Sequence, residues 1–169
     1  MDMDIGSLAM YVRWLHVISG VMWIGLLWYF NFVQIPTMPE IPDDQKPAIG
    51  KHIAPRALFW FRWGAMATIF FGLWLGYLKY DLSDLLTLSH GQGSVAMTLL
   101  GIGMWFGIIM WFNVWFVIWP NQKKALGLVE ADAETKAKAG RTAMLFSRTN
   151  TLLSIPMLLG MVAGSHFAG

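Results

Sequence analysis

At 169 residues, with 56 % hydrophobic and only 13 % charged residues, the chain is too apolar for an ordinary soluble domain. A formal charge of +2 argues against a nucleic-acid-binding surface, because the pI near 9.0 comes from loop lysines rather than a basic patch. The absence of cysteine excludes disulfides, iron–sulfur clusters and covalent c-type haem attachment, so any cofactor has to be held by His, Met or polar side chains.

In chain order, the acidic start Met1-Asp2-Met3-Asp4 has no small-residue cleavage site after it, so the first apolar segment is expected to remain as a span. Apolar stretches long enough to cross the hydrocarbon layer run over residues 5–35, 57–77, 95–119 and 143–167. Backbone groups in lipid must be satisfied within their own segment, so each stretch is predicted to be a helix. Breakers fall between them: Pro36, Pro39, Pro42 and Pro47, then Gly91 and Gly93, then Pro120 and Gly127. The alanine-, glutamate- and lysine-rich run 129–138 predicts a short helix in the third loop.

Lysine and arginine set the expected orientation. Lys46, Lys51, Arg56 and Arg62 flank the first loop, and Lys123, Lys124, Lys136, Lys138, Arg141 and Arg148 the third, whereas Arg13 and Lys79 flank the other side. By the positive-inside rule, loops 36–56 and 120–142 are cytoplasmic and both termini are periplasmic, in a bacterial inner membrane.

The chain also repeats itself. Met22-Trp23-Ile24-Gly25-Leu26-Leu27-Trp28-Tyr29-Phe30-Asn31 aligns without gaps on Met104-Trp105-Phe106-Gly107-Ile108-Ile109-Met110-Trp111-Phe112-Asn113, and the segments at Ala57 and Ala143 echo this more weakly. The expected fold is thus an all-α integral membrane protein. It is a single domain over residues 1–169, a four-transmembrane-helix bundle built from a duplicated helical hairpin. Gly20 and Gly25 with Gly101, Gly103 and Gly107 are expected to let spans one and three approach closely.

An ionisable residue inside a span is costly and marks a candidate site. His16 lies in the first span and His166 near the outer end of the fourth, at similar expected depth. Two such imidazoles on different helices are suited to the two faces of a haem iron, with aromatic residues such as Trp14 and Trp23 as walls and Arg13 alongside. His90 in the second loop and His52 on the opposite side are weaker alternatives. Arg62, Arg148, Asn31, Asn113 and Asn150 form a second polar group toward the cytoplasmic end, read mainly as helix connectors and interfacial cations, the functional alternative being arginines that hold haem propionates, an anionic substrate or anionic lipid head groups. The methionines read first as packing residues.

Several motifs carry a resemblance. Trp14-Leu15-His16-Val17 with Gly20, Trp23-Ile24-Gly25 and Tyr29-Phe30-Asn31-Phe32, then Trp60-Phe61-Arg62-Trp63 and Trp119-Pro120-Asn121-Gln122-Lys123-Lys124, are similar to the urate hydroxylase (urate oxidase) N-terminal membrane domain family. So is the stretch from Ser147-Arg148-Thr149-Asn150 through Pro156 to His166. The resemblance implies a membrane-bound redox protein whose longest members carry a periplasmic c-type cytochrome domain and are linked to urate oxidation. It also implies that His16 and His166 matter. These 169 residues are far fewer than in the fused enzymes and hold no c-type haem motif, which favours a role in electron transfer over urate as substrate.

The expected function is therefore a haem b electron-transfer protein or redox-complex subunit. Besides membrane lipids, its expected partners are a periplasmic cytochrome c, a larger membrane redox complex or a second copy of the chain. The alternatives are a urate-oxidising membrane enzyme acting with a separate cytochrome c, and a cofactor-free accessory subunit of a respiratory or photosynthetic complex.

Overall fold

The computed structural model describes residues 4–88 and 95–167, and these form helices and short connections without a strand. Helix α1 (Ile5–Glu40) begins at Asp4, whose carboxylate accepts the Ser7 amide at 2.7 Å and so satisfies one of the free N–H groups of the first turn. Helices α2 (Lys46–Lys79), α3 (Leu82–Thr87), α4 (Val95–Ala125) and α5 (Ala133–Phe167) follow. Helices α1, α2 and α4 are each long and apolar enough to cross a membrane, which supports an integral membrane protein. Helix α5 is 35 residues long but is not among those three, because Thr149, Asn150, Thr151, Ser154 and Pro156 dilute its apolar run.

The helices extend further than the breakers suggested. Pro36, Pro39, Pro47 and Pro120 each sit at the first or second position of a helical segment, where the missing N–H has no partner to lose. The first three prolines therefore lie within helical segments that lengthen α1 and α2. Of the loop helix expected over 129–138, only 133–138 is helical, and it is the beginning of α5, continuous with the predicted fourth span. Three wide π turns also interrupt the regular ladder, at Tyr29–Gln34 in α1, Ile49–Ile53 in α2 and Asn113–Ile118 in α4. Two of them contain Asn31 and Asn113, the paired positions of the internal repeat, and each of those two is followed by a proline.

Helix α1 packs along α2, and α4 along α5. Trp23, Leu27, Phe30, Phe61, Ala65, Met110, Val114, Ile118 and Met157 fill the common core. The glycines do not bring α1 against α4 as the sequence suggested. A Cβ on Gly25 would meet nothing within 4 Å and one on Gly20 only the Thr68 methyl at 3.9 Å. The close backbone crossing is between α4 and α5, where a Cβ on Gly160 would lie 2.7 Å from the Leu99 oxygen and 3.1 Å from the Gly103 Cα. Gly101 serves α3 instead, since a Cβ there would stand 2.6 Å from the Leu85 oxygen. Repeated glycines thus perform different tasks according to which neighbour each one faces.

Polar side chains tie the pairs together. Asn150 is fully buried on α5, accepts from Asn113 Nδ2 at 2.8 Å and donates to the Met110 oxygen at 2.9 Å. Asn31 donates to Ser147 Oγ at 2.8 Å, and Trp28 Nε1 to Ser154 Oγ at 2.9 Å, joining α1 to α5.

Candidate functional site

Between the helix pairs lies a cavity of about 590 Å³, within the range of ligand and cofactor sites. Its walls are largely apolar and draw on α1, α2, α3, α4 and α5, with Leu85 of α3 among the lining residues. Glycines from three helices, including Gly20, Gly72 and Gly107, replace bulky side chains along the walls. Met104, Met157 and Met161 supply thioethers to the lining.

His16 is the imidazole of this cavity. Its Nδ1 lies 2.9 Å from the Thr68 carbonyl oxygen. A carbonyl only accepts, so Nδ1 carries the hydrogen and neutral His16 presents an unprotonated Nε2. Gly72 makes room for the ring, because a Cβ there would sit 2.8 Å from His16 Cε1 and 3.0 Å from Nδ1. This is the outer-sphere arrangement in which metal-ligating histidines are held, one nitrogen donating to a carbonyl and the other available as a base. Seven residues along α1, Trp23 is 1 % exposed and lines the same space, and its indole N–H is buried without a partner among the described residues. The cavity thus offers one basic nitrogen, one spare indole N–H, the Arg13 cation and otherwise largely apolar walls. These features fit a flat, mostly apolar cofactor with a coordinating centre, such as haem.

Of the residues singled out by sequence, the fold gathers Arg13, His16 and Trp23 around this cavity. Trp14 is 57 % exposed and is not among the lining residues. His166 is exposed near the end of α5, with its ring 5.2 Å from that of Phe167. Its neighbour Ser165 lines the cavity, whereas His166 does not. His52 is exposed in the π turn of α2, and His90 lies outside the described residues. Thr68 and Gly72 were missed by sequence reasoning. The four-residue spacing of Gly72 and Gly76 on one helix face was the available signal.

Toward the other end, the second polar group separates into different roles. Asn150, Asn113 and Asn31 are spent on the interhelical bonds described above, and Arg148 is exposed. Arg62 stands over Trp119, with Cζ 3.3 Å from a ring centroid.

Long apolar helices around an oily cavity with one oriented imidazole define a helical membrane protein with an internal cavity. Residues 85–169, half of the chain, match the family described as urate oxidase N-terminal, and the chain belongs to that family. The matched half contains α4, α5 and His166, while His16 lies outside it. No curated protein and no solved structure matches the chain.

Proposed function

We propose that the protein is a membrane-bound electron-transfer protein that holds haem b in the cavity between its helices. The observation that carries this reading is the His16 imidazole, fixed through Nδ1 on Thr68 with its Nε2 lone pair free on a residue lining a 590 Å³ apolar space. His16 would hold the haem iron through Nε2 and Arg13 would pair with a propionate. His166, exposed one residue past the lining Ser165, would complete the iron's ligands by turning inward. Haem would supply reversible one-electron exchange, while the chain fixes the ligand nitrogen, excludes water with Leu85 and Trp23, and sets the potential by burial and ligand identity.

In this reading α5 is a fourth span, both termini are periplasmic and the lysine-rich end faces the cytoplasm of a bacterial inner membrane. The matching π turns beside Asn31 and Asn113 support descent from a duplicated hairpin. Electrons would pass to a periplasmic cytochrome c or within a larger membrane complex.

The test is the reduced-minus-oxidised spectrum of protein purified in mild detergent, expected to show a b-type band. His16→Ala should abolish it and His166→Ala should shift or abolish it. Folded wild-type protein without the band, or a band that survives both substitutions unchanged, removes the assignment. Family membership favours a second reading, urate oxidation with a separate cytochrome c. Urate consumption by membranes expressing the chain, lost in His16→Ala, would support it.

A further inference from the structure

The cavity leaves the opposite end of the bundle unexplained. There α2 and α4 meet along a seam of aromatic rings. Trp63 of α2 stands edge-on to Trp115 of α4 with centroids 5.6 Å apart, and Phe59 lies 6.4 Å from Trp63. Phe59 is 47 % and Trp63 49 % exposed, so the seam opens outward as an apolar strip. At its head Arg62 stands over the Trp119 ring, and Lys123, one turn beyond Trp119, places Nζ 5.7 Å from the same indole.

These two cations lack a counter-charge. Among the described residues the one ion pair joins Lys46 to Asp43, so no carboxylate lies within 4 Å of Arg62 or Lys123. Arg62 Nη1 is moreover buried without an acceptor. A guanidinium resting on an indole keeps its N–H groups in the plane of its fork, directed past the ring edge and suited to a phosphate oxyanion. A basic pocket between apolar helices is the setting in which anionic lipid head groups are bound.

The geometry points to a binding site for one anionic phospholipid. Arg62 and Lys123 hold its phosphate beside Trp119, and an acyl chain lies along Phe59 and Trp63. A free phosphate shares the oxyanion chemistry but has no use for the exposed aromatic strip that continues from the cations, and that strip selects the lipid. The site lies apart from His16 and does not depend on the haem reading.

Delipidated protein in mild detergent is titrated with phosphatidylglycerol, phosphatidylcholine or inorganic phosphate while thermal unfolding is followed. Phosphatidylglycerol is expected to raise Tm, and the other two to leave it unchanged. The double substitution Arg62→Gln/Lys123→Gln should weaken the phosphatidylglycerol response roughly tenfold or more, as two surface cations contribute to anionic-lipid affinity. Lys123→Gln alone leaves the buried packing intact and should lose part of that response. The loop pair Lys136→Gln/Lys138→Gln should titrate as wild type. Equal stabilisation by phosphatidylcholine overturns the proposal, as does an undiminished phosphatidylglycerol preference in the double and single variants. An equal response to inorganic phosphate overturns the lipid assignment.

Discussion

His16 and Thr68 are joined by a bond of 2.9 Å from a ring nitrogen on α1 to a backbone oxygen on α2. The acceptor is main chain, so the tautomer of His16 is set by where α2 runs rather than by the Thr68 side chain, whose own hydroxyl donates to the Gly64 oxygen at 2.7 Å.

Thr68→Val should therefore leave the imidazole in place, whereas Gly72→Ala should displace it, because the added methyl would overlap the ring at 2.8 Å. Nitrogen NMR of labelled His16 checks this. The Nδ1-protonated pattern is expected in wild type and Thr68→Val and should be lost in Gly72→Ala. An unchanged ring signal in Gly72→Ala would contradict the close seat.

The α4–α5 crossing leaves no space for a side chain at Gly160. Gly160→Ala should cost about 1–3 kcal/mol through forced backbone movement against Leu99 and Gly103. Gly25→Ala meets no neighbour within 4 Å and should gain up to about 1 kcal/mol from helix propensity. Thermal unfolding in one detergent orders the two, and equal Tm shifts would disprove the asymmetry.

Asn150 bridges two acceptor and donor groups inside the bundle, so Asn150→Leu strands both Asn113 Nδ2 and the Met110 oxygen. A loss of roughly 1–2 kcal/mol is expected, near the upper end for polar contacts between membrane helices. Asn113→Leu added to Asn150→Leu should cost less than the sum of the two single changes, because both remove the same bond. Strictly additive unfolding free energies would argue that the asparagines act independently.

Asp132 caps the start of α5, accepting the Thr135 amide at 2.7 Å. That bond favours the charged carboxylate and holds Asp132 below the ordinary 3.8. A depressed carboxyl stabilises the fold above its ordinary value and loses the contribution as pH falls through the lowered one. Amide exchange protection at Thr135 and Lys136 should hold from neutrality to about pH 4 and decline below it, and Asp132→Asn should flatten the profile. A decline centred between pH 5 and 7 would assign the change to another group.

Helix content, the membrane class and the family were legible because long apolar runs and aromatic motifs are local signals. The ends of the helices were less so, since proline reads as a breaker until its place in the first turn of a segment is known, as at Pro36 and Pro47. His16 stood out because an imidazole in an apolar run is costly, but its partner Thr68 is a backbone carbonyl and leaves no mark in the side-chain sequence. Gly25 and Gly160 look alike in sequence. Only the neighbouring helix reveals that one faces open space and the other a backbone.

The wide turns at Tyr29–Gln34 and Asn113–Ile118 each fit extra chain into a rod that stays intact. Past such a turn the angular phase of every following residue is reset, so the two ends of the rod answer to separate rotational registers. In α4 the turn falls between Gly107, which lines the chamber around His16, and Trp119, which lies under Arg62, so the two ends of that rod present faces that an unbroken α-helix would not align.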